Sequence, residues 1–164
     1  MKTLFLLRHA KAGQEDPGTP DARRPLTDQG FLDARLVSKA LLQQDLIPEI
    51  IISSDAVRAY TTAFVFAATF EKLSEDILLE NSLYESSVKD YLKIISSISD
   101  NFSKSMIVGH NNTISMLVSE LLKKNHEGLK TSGVVVISSS AKKWIEFDSH
   151  PCRLLSELDP SLLR

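Results

Sequence analysis

An arginine and a histidine stand side by side at Arg8-His9, directly after the apolar run "TLFLL", Thr3 to Leu7. Buried strands usually close on Gly, Asn, Asp or Pro, so a charged pair there either reaches into solvent or stands at the mouth of a site. A second histidine, His110, ends the run "KSMIVGHN", and Arg58 lies one helical turn into the segment that follows the run "EIIISSD". A helix start presents free N–H groups and a positive dipole end, and a guanidinium there adds a planar fork for phosphate or carboxylate. Arg58 is the only charged side chain between Ala56 and Phe70, and an isolated charge on an otherwise apolar helix calls for a partner. Arg8, His9, Arg58 and His110 thus suit one pocket for an anionic phosphoryl group. A divalent metal suits them poorly, because adjacent arginines repel it and no carboxylate sits at matching spacing. His126 and His150 lie in polar surroundings and receive no role.

The elements that must position these groups alternate in type. Strands are expected at "TLFLLRH", "EIIISSD" (Glu49 to Asp55), "KSMIVGHN" (Lys104 to Asn111), "SGVVVISSS" (Ser132 to Ser140) and "KKWIEFD" (Lys142 to Asp148), the last two pairing as a tight hairpin. A helix capped by Thr27 carries Phe31, Ala34, Leu36, Val37, Ala40 and Leu41 on one stripe, and Pro48 precedes the next strand. Further helices are expected at Ala56–Phe70, in "SVKDYLKIISSIS", and from Asn112 to Lys124. This order implies an α/β fold, a three-layer α/β/α sandwich whose central sheet is mostly parallel with an antiparallel edge. Ligands of open α/β sheets bind beyond the carboxyl ends of the strands, where His9 and His110 both fall. If their strands are neighbours, both imidazoles face one crevice. The one long loop, Ala12 to Pro25, is rich in Pro, Gly and Asp, a frequent trait of functional loops.

With 164 residues the chain suits one domain, residues 1–164. A net charge of −2 gives no field for nucleic acid or an anionic membrane, so anion recognition must be local. The single cysteine, Cys152, excludes an internal disulfide and suits a reducing compartment. No apolar run approaches a membrane span, and Leu4 to Leu7 is too short for a signal-peptide core. A cytoplasmic protein beginning near Met1 and acting as a monomer is the expectation.

The segments "LLRHAKAG", "RRPLTDQG", "SSDAVRAYTTA", "LYES" and "VGHNN" occur in the order and spacing of the histidine phosphatase superfamily. The chain resembles its phosphoglycerate mutase-like members and, more narrowly, the small SixA-like phosphohistidine phosphatases. The resemblance covers essentially the whole chain, down to "TSGVVVI" and Pro151-Cys152. Two positions depart from the pattern. Asn112 replaces the usual proline after Asn111, which is expected to alter loop rigidity, and Asp55 follows Ser54 where proline is common, adding a carboxylate near the pocket rim.

The resemblance implies that His9 is the nucleophile, attacking phosphorus as a neutral imidazole. Its other ring nitrogen is expected to donate to a backbone carbonyl, and cationic Arg8 and Arg58 to disfavour its protonation. Arg8, Arg58 and His110 would cradle the equatorial oxygens without a metal or other cofactor. Arg24 matches the loop arginine that points at the phosphate, with Arg23 as the alternative. Glu85 matches the proton-donor position of the wider superfamily. The implied activity is removal of phosphate from phosphohistidine in a protein, since no long insertion is available to build a lid over a small substrate. A small-molecule phosphomonoesterase using Glu85 as acid, and a phosphate-binding module without turnover, are the other two readings. Inorganic phosphate would be the product.

Overall fold

In the computed structural model, which describes residues 1–164, six strands form one sheet. In chain order they are β1 (Lys2–Arg8), β2 (Ile50–Ser53), β3 (Ile77–Leu79), β4 (Lys104–Gly109), β5 (Val134–Ser139) and β6 (Cys152–Leu158). Their spatial order is β3-β2-β4-β1-β5-β6. The first four are mutually parallel, and β5 runs antiparallel to both its neighbours, β1 and the edge strand β6. The expected mostly parallel sandwich with an antiparallel edge is therefore present.

The helices are α1 (Asp28–Gln43), α2 (Val57–Thr69), α3 (Val88–Ser97), α4 (Thr113–Leu122) and the short α5 (Pro160–Leu163). Side chains alternate across a strand, and both faces of the central strands are covered, so these strands are apolar at nearly every position. Phe5 and Leu7 of β1, with Met106, Val108, Val134 and Val136, pack against Ala34, Val37 and Leu41 of α1 and Ala59, Ala63 and Phe66 of α2. Leu4 and Leu6, with Ile107, Val135 and Ile137, face Tyr91, Ile94 and Ile95 of α3 and Ile114, Leu117 and Val118 of α4.

Helix α1 begins as expected, with the Thr27 hydroxyl accepting from Gly30 N–H at 3.0 Å. Its buried face centres on Ala34, Val37 and Leu41, whereas Phe31, placed on the stripe by spacing, is 41% exposed. Two strands of the sheet were not expected. Ile77–Leu79 is a three-residue edge strand, and the true partner of β5 is Cys152–Leu158. The segment Lys142–Asp148, expected as the hairpin strand, instead holds a 3-10 helix, Trp144–Ser149. Its apolar residues Trp144 and Phe147 are three apart, the 3-10 period. Their rings stack at 5.4 Å, and Trp144 Nε1–H donates to Phe102 O at 2.8 Å. A strand would put those two rings on opposite faces, one of them in water. No helix is long and apolar enough to cross a membrane.

Candidate active site

Strands β1 and β4 lie side by side at the sheet centre with Arg8 opposite Gly109. The residues that follow, His9 and His110, therefore leave the sheet together. His9 N–H donates to Gly109 O at 3.1 Å, and the two imidazoles face each other with centroids 5.2 Å apart. Gly109 is needed here for space. A Cβ would strike the hydroxyl of buried Tyr91, which accepts the His110 backbone N–H at 3.1 Å.

The His9 ring is fixed from one side. Its Nδ1 sits 2.8 Å from Ala10 O, and a carbonyl can only accept, so Nδ1 carries the proton and Nε2 has a free lone pair. Ala10 N–H in turn donates to Thr62 Oγ1 at 2.9 Å, and that hydroxyl donates to Arg58 O at 2.7 Å. Helix α2 and the His9 turn are thereby locked together. The His9 pKa is lowered to about 4, mainly by burial, with Arg58, Arg8 and Arg24 adding to the effect against the raising influence of the Ala10 carbonyl. The expectation that the arginines keep this imidazole neutral holds in direction, with burial the larger cause.

His110 Nε2 lies 2.8 Å from Ser54 Oγ, at the end of β2. Its Nδ1 is buried without a protein partner, as are Arg8 Nε and Arg58 Nε. Burial, together with His9 and Arg58, lowers the His110 pKa to about 3. Arg8 Nη1–H donates to Leu129 O at 2.9 Å. Arg58, in the first turn of α2, is buried at 6% exposure. Three cationic side chains and a second neutral imidazole thus surround a neutral, oriented His9. Such a set can stabilise the oxygens of a phosphoryl group in transit.

The long loop folds back over this site. Thr27 N–H donates to Lys11 O, and Arg24 Nη1–H donates to Gly13 O at 2.7 Å. Arg24 is partly buried and its charge acts on His9, whereas Arg23 is exposed. Sequence reasoning missed Asp21, three residues before Arg24. Its carboxylate accepts from Arg24 Nε at 2.9 Å, Arg58 Nη2 at 3.0 Å and the Tyr84 hydroxyl at 2.5 Å. Tyr84 stands edge-on to His110 at 5.5 Å. Asp21 was legible only as one of several acids in a polar loop, with no periodicity to mark it.

Asp21, Arg58, Tyr84, Glu85, His110 and Asn111 line a cavity of about 160 Å³. Glu85 is exposed, has no hydrogen-bond partner in the protein and adopts φ 51°, a left-handed conformation that L residues seldom adopt. Asp55 is exposed and follows Ser54, the partner of His110. The Asn111–Asn112 peptide is cis. His126, given no role, pairs with Glu157 at 2.9 Å away from this cluster.

The sequence profile of the histidine phosphatase superfamily (branch 1) matches residues 4–102. The chain belongs to the histidine phosphatase superfamily. A relative of this phosphatase, an uncharacterized chloroplastic protein of Arabidopsis thaliana, is 30% identical over 157 residues, spanning 88% of this chain and 70% of its own. A SixA structure from Agrobacterium tumefaciens superposes with a TM-score of 0.83 at 26% identity, covering 97% and 98% of the two chains. The protein histidine phosphatase SixA complexed with tungstate gives 0.84 at 19% identity, covering 99% of both. A mycobacterial glucosyl-3-phosphoglycerate phosphatase complexed with VO3 gives 0.73 at 17%, covering 95% and 98%. The last two share the fold with this histidine phosphatase superfamily member.

Proposed function

We propose that the chain is a metal-independent phosphatase that removes the phosphoryl group from phosphohistidine in a protein through a covalent intermediate on His9. The observation that carries this reading is the His9 ring itself. It is neutral, its Nδ1 donates to Ala10 O so that Nε2 keeps a lone pair, and a second imidazole and three guanidinium charges lie around the ring.

In the first step His9 Nε2 bonds to phosphorus while the P–N bond to the substrate imidazole breaks. The departing ring nitrogen takes a proton from solvent. Arg8, Arg24, Arg58 and the His110 Nδ1–H hold the three equatorial oxygens as charge moves across them. Water then attacks the phosphorus on His9, releasing inorganic phosphate and restoring the neutral nucleophile. The guanidiniums supply the charge stabilisation that metal ions give other phosphoryl-transfer sites.

Two features favour an imidazole over an alcohol as leaving group. An alkoxide needs a positioned proton donor, and Glu85, the candidate, is exposed and tethered to nothing. Between α2 and Tyr84 the chain builds only the edge strand β3 and two 3-10 turns, so no segment from there closes over the pocket. A side chain presented by another protein can reach it. The likeness to the Agrobacterium SixA protein agrees with this reading. A monomer in a reducing, cytoplasmic setting fits the single Cys152.

Phosphate release is measured from a phosphohistidine-bearing protein and from p-nitrophenyl phosphate, with chelator present, for wild type and His9→Ala. Release from the phosphoprotein that far exceeds the ester and vanishes in His9→Ala is the expected result. Strong ester hydrolysis that falls in Glu85→Gln would replace this reading with a small-molecule phosphomonoesterase. Phosphate binding without turnover of either substrate would leave a binding module.

A further inference from the structure

The arginines of this site are not held by the sheet or the helices alone. One carboxylate joins two of them. Asp21 Oδ1 accepts from Arg24 at 2.9 Å (Nε) and 2.8 Å (Nη2), while Oδ2 accepts from Arg58 Nη2 at 3.0 Å. Asp21 O accepts from Arg58 Nη1 at 2.8 Å. Each terminal nitrogen of Arg58 therefore gives one of its two hydrogens to this residue, and Nε–H is left buried and unpartnered. Tyr84, which lines the same cavity, donates to the same carboxylate. An arginine is a long chain with many rotamers, and a planar fork is useful to a reacting phosphoryl group only when its direction is set beforehand.

The carboxylate also changes the charge of the site. Arg8, Arg24 and Arg58 all act on His9, a formal +3 that would hold a phosphate dianion strongly in the ground state and as product. Asp21 is ionised, its pKa driven well below the usual carboxylate range by the Tyr84 hydroxyl first and then by the two arginines. Binding that is equally strong in ground and transition states does not raise turnover. An anion already on the arginines offsets that uniform part and leaves their orientation intact.

We propose that Asp21 is a positioning residue, which aims Arg24 and Arg58 at the reacting phosphoryl group and offsets one of their charges so that product phosphate is released. This rests on the phosphatase reading given above and adds a residue to it. Asp21 touches neither substrate nor nucleophile in this role.

The test combines steady-state kinetics with calorimetric binding of inorganic phosphate, for wild type, Asp21→Asn, Asp21→Ala and Tyr84→Phe, each checked by thermal unfolding. For Asp21→Ala, kcat is expected to fall about ten- to a hundredfold as the two forks lose their aim. Phosphate is expected to bind about three- to tenfold more tightly as the site gains net positive charge. Asp21→Asn keeps the shape and one acceptor oxygen, so it should show the tighter phosphate binding with a smaller loss of kcat. Tyr84→Phe should show a weaker form of the kcat loss alone. A merely structural role would weaken catalysis and phosphate binding together, and that pattern in folded Asp21→Asn overturns the proposal. So does an unchanged kcat in folded Asp21→Ala. If wild type turns over neither substrate, the phosphatase reading fails on its own. The phosphate affinity of Asp21→Asn then still decides whether this carboxylate offsets the arginine charge.

Discussion

The His9 and His110 rings lie 5.2 Å apart with their planes tilted by 53°, each held by a hydrogen bond to a different segment of the chain. His9 is held by Ala10 O, after β1, and His110 by Ser54 Oγ, after β2. His9→Ala is expected to abolish phosphate release, since the imidazole nitrogen proposed to take the phosphoryl group is removed. His110→Ala should leave a folded enzyme whose kcat falls about 10²–10³-fold, the usual effect of losing one preorganised donor. Single-turnover kinetics on the two variants checks both outcomes.

Acid should affect activity and stability at different pH. His9, with its pKa lowered to about 4, remains neutral well below the pH at which an ordinary histidine protonates. The acid limb of kcat/KM is therefore expected near pH 4 rather than 6.5. Stability behaves otherwise. In the unfolded chain both histidines titrate at their ordinary value of roughly 6.5, while in the folded chain they resist protonation down to about 4 and 3. Between those limits the unfolded state binds more protons, so the stability falls as pH drops from 6.5 toward 4. Urea unfolding at pH 7 and pH 5 reads this, and His110→Asn should remove part of the slope.

Ser54 decides which nitrogen of His110 bears the proton. If the serine hydroxyl donates to Nε2, Nδ1 carries the hydrogen and becomes the buried donor that faces the site. In Ser54→Ala both tautomers become accessible, and kcat is expected to fall about tenfold. The ring nitrogen chemical shifts of labelled His110 would move from one tautomer toward an average, while those of His9 stay as they are.

Glu85 should separate the two substrate classes. Glu85→Gln is expected to leave phosphohistidine turnover within about twofold of wild type and to reduce any residual ester hydrolysis. Glu85→Gly should raise stability by about 1 kcal/mol, because φ 51° strains a residue with a Cβ. Parallel assays and thermal melts on these two variants distinguish chemistry from backbone strain.

The close approach of Tyr91 makes Gly109 intolerant. Gly109→Ala pushes a methyl group into the tyrosine hydroxyl and ring, and is expected to lower stability by about 1–3 kcal/mol. Chemical denaturation checks this. Tyr91→Phe in the same chain should recover part of the loss by removing the nearest atom.

Much of this was legible from residue types. Strands buried on both faces announce themselves as unbroken apolar runs, which is why β1, β4 and β5 were readable, and with them the positions of His9 and His110. Arg58 was legible because a lone charge on the apolar α2 demanded a partner. The misses have physical reasons too. β6 lies at an edge with alternating exposure, so "CRLLSEL" carries a weak signal, while the apolar pair Trp144 and Phe147 imitated a strand. Asp21 sits in a loop, where no period distinguishes a carboxylate that binds two arginines from one that binds water. Arg24 was separable from Arg23 only once the fold of that loop was known.

The β1–β4 pairing has a consequence for how this chain acquires activity. The two histidines of the site, His9 and His110, come from opposite halves of the sequence and meet only through a contact between distant strands, flanked by β2 and β5. Such contacts carry the full entropy of closing a long loop and form late relative to helices. Recovery of phosphate release during refolding should therefore trail the return of helical circular dichroism. A ribosome-bound chain ending before β4 would carry His9, the proposed nucleophile, with Arg8, Arg24 and Arg58 but not His110, so on this reading no phosphate is released until β4 has paired with β1.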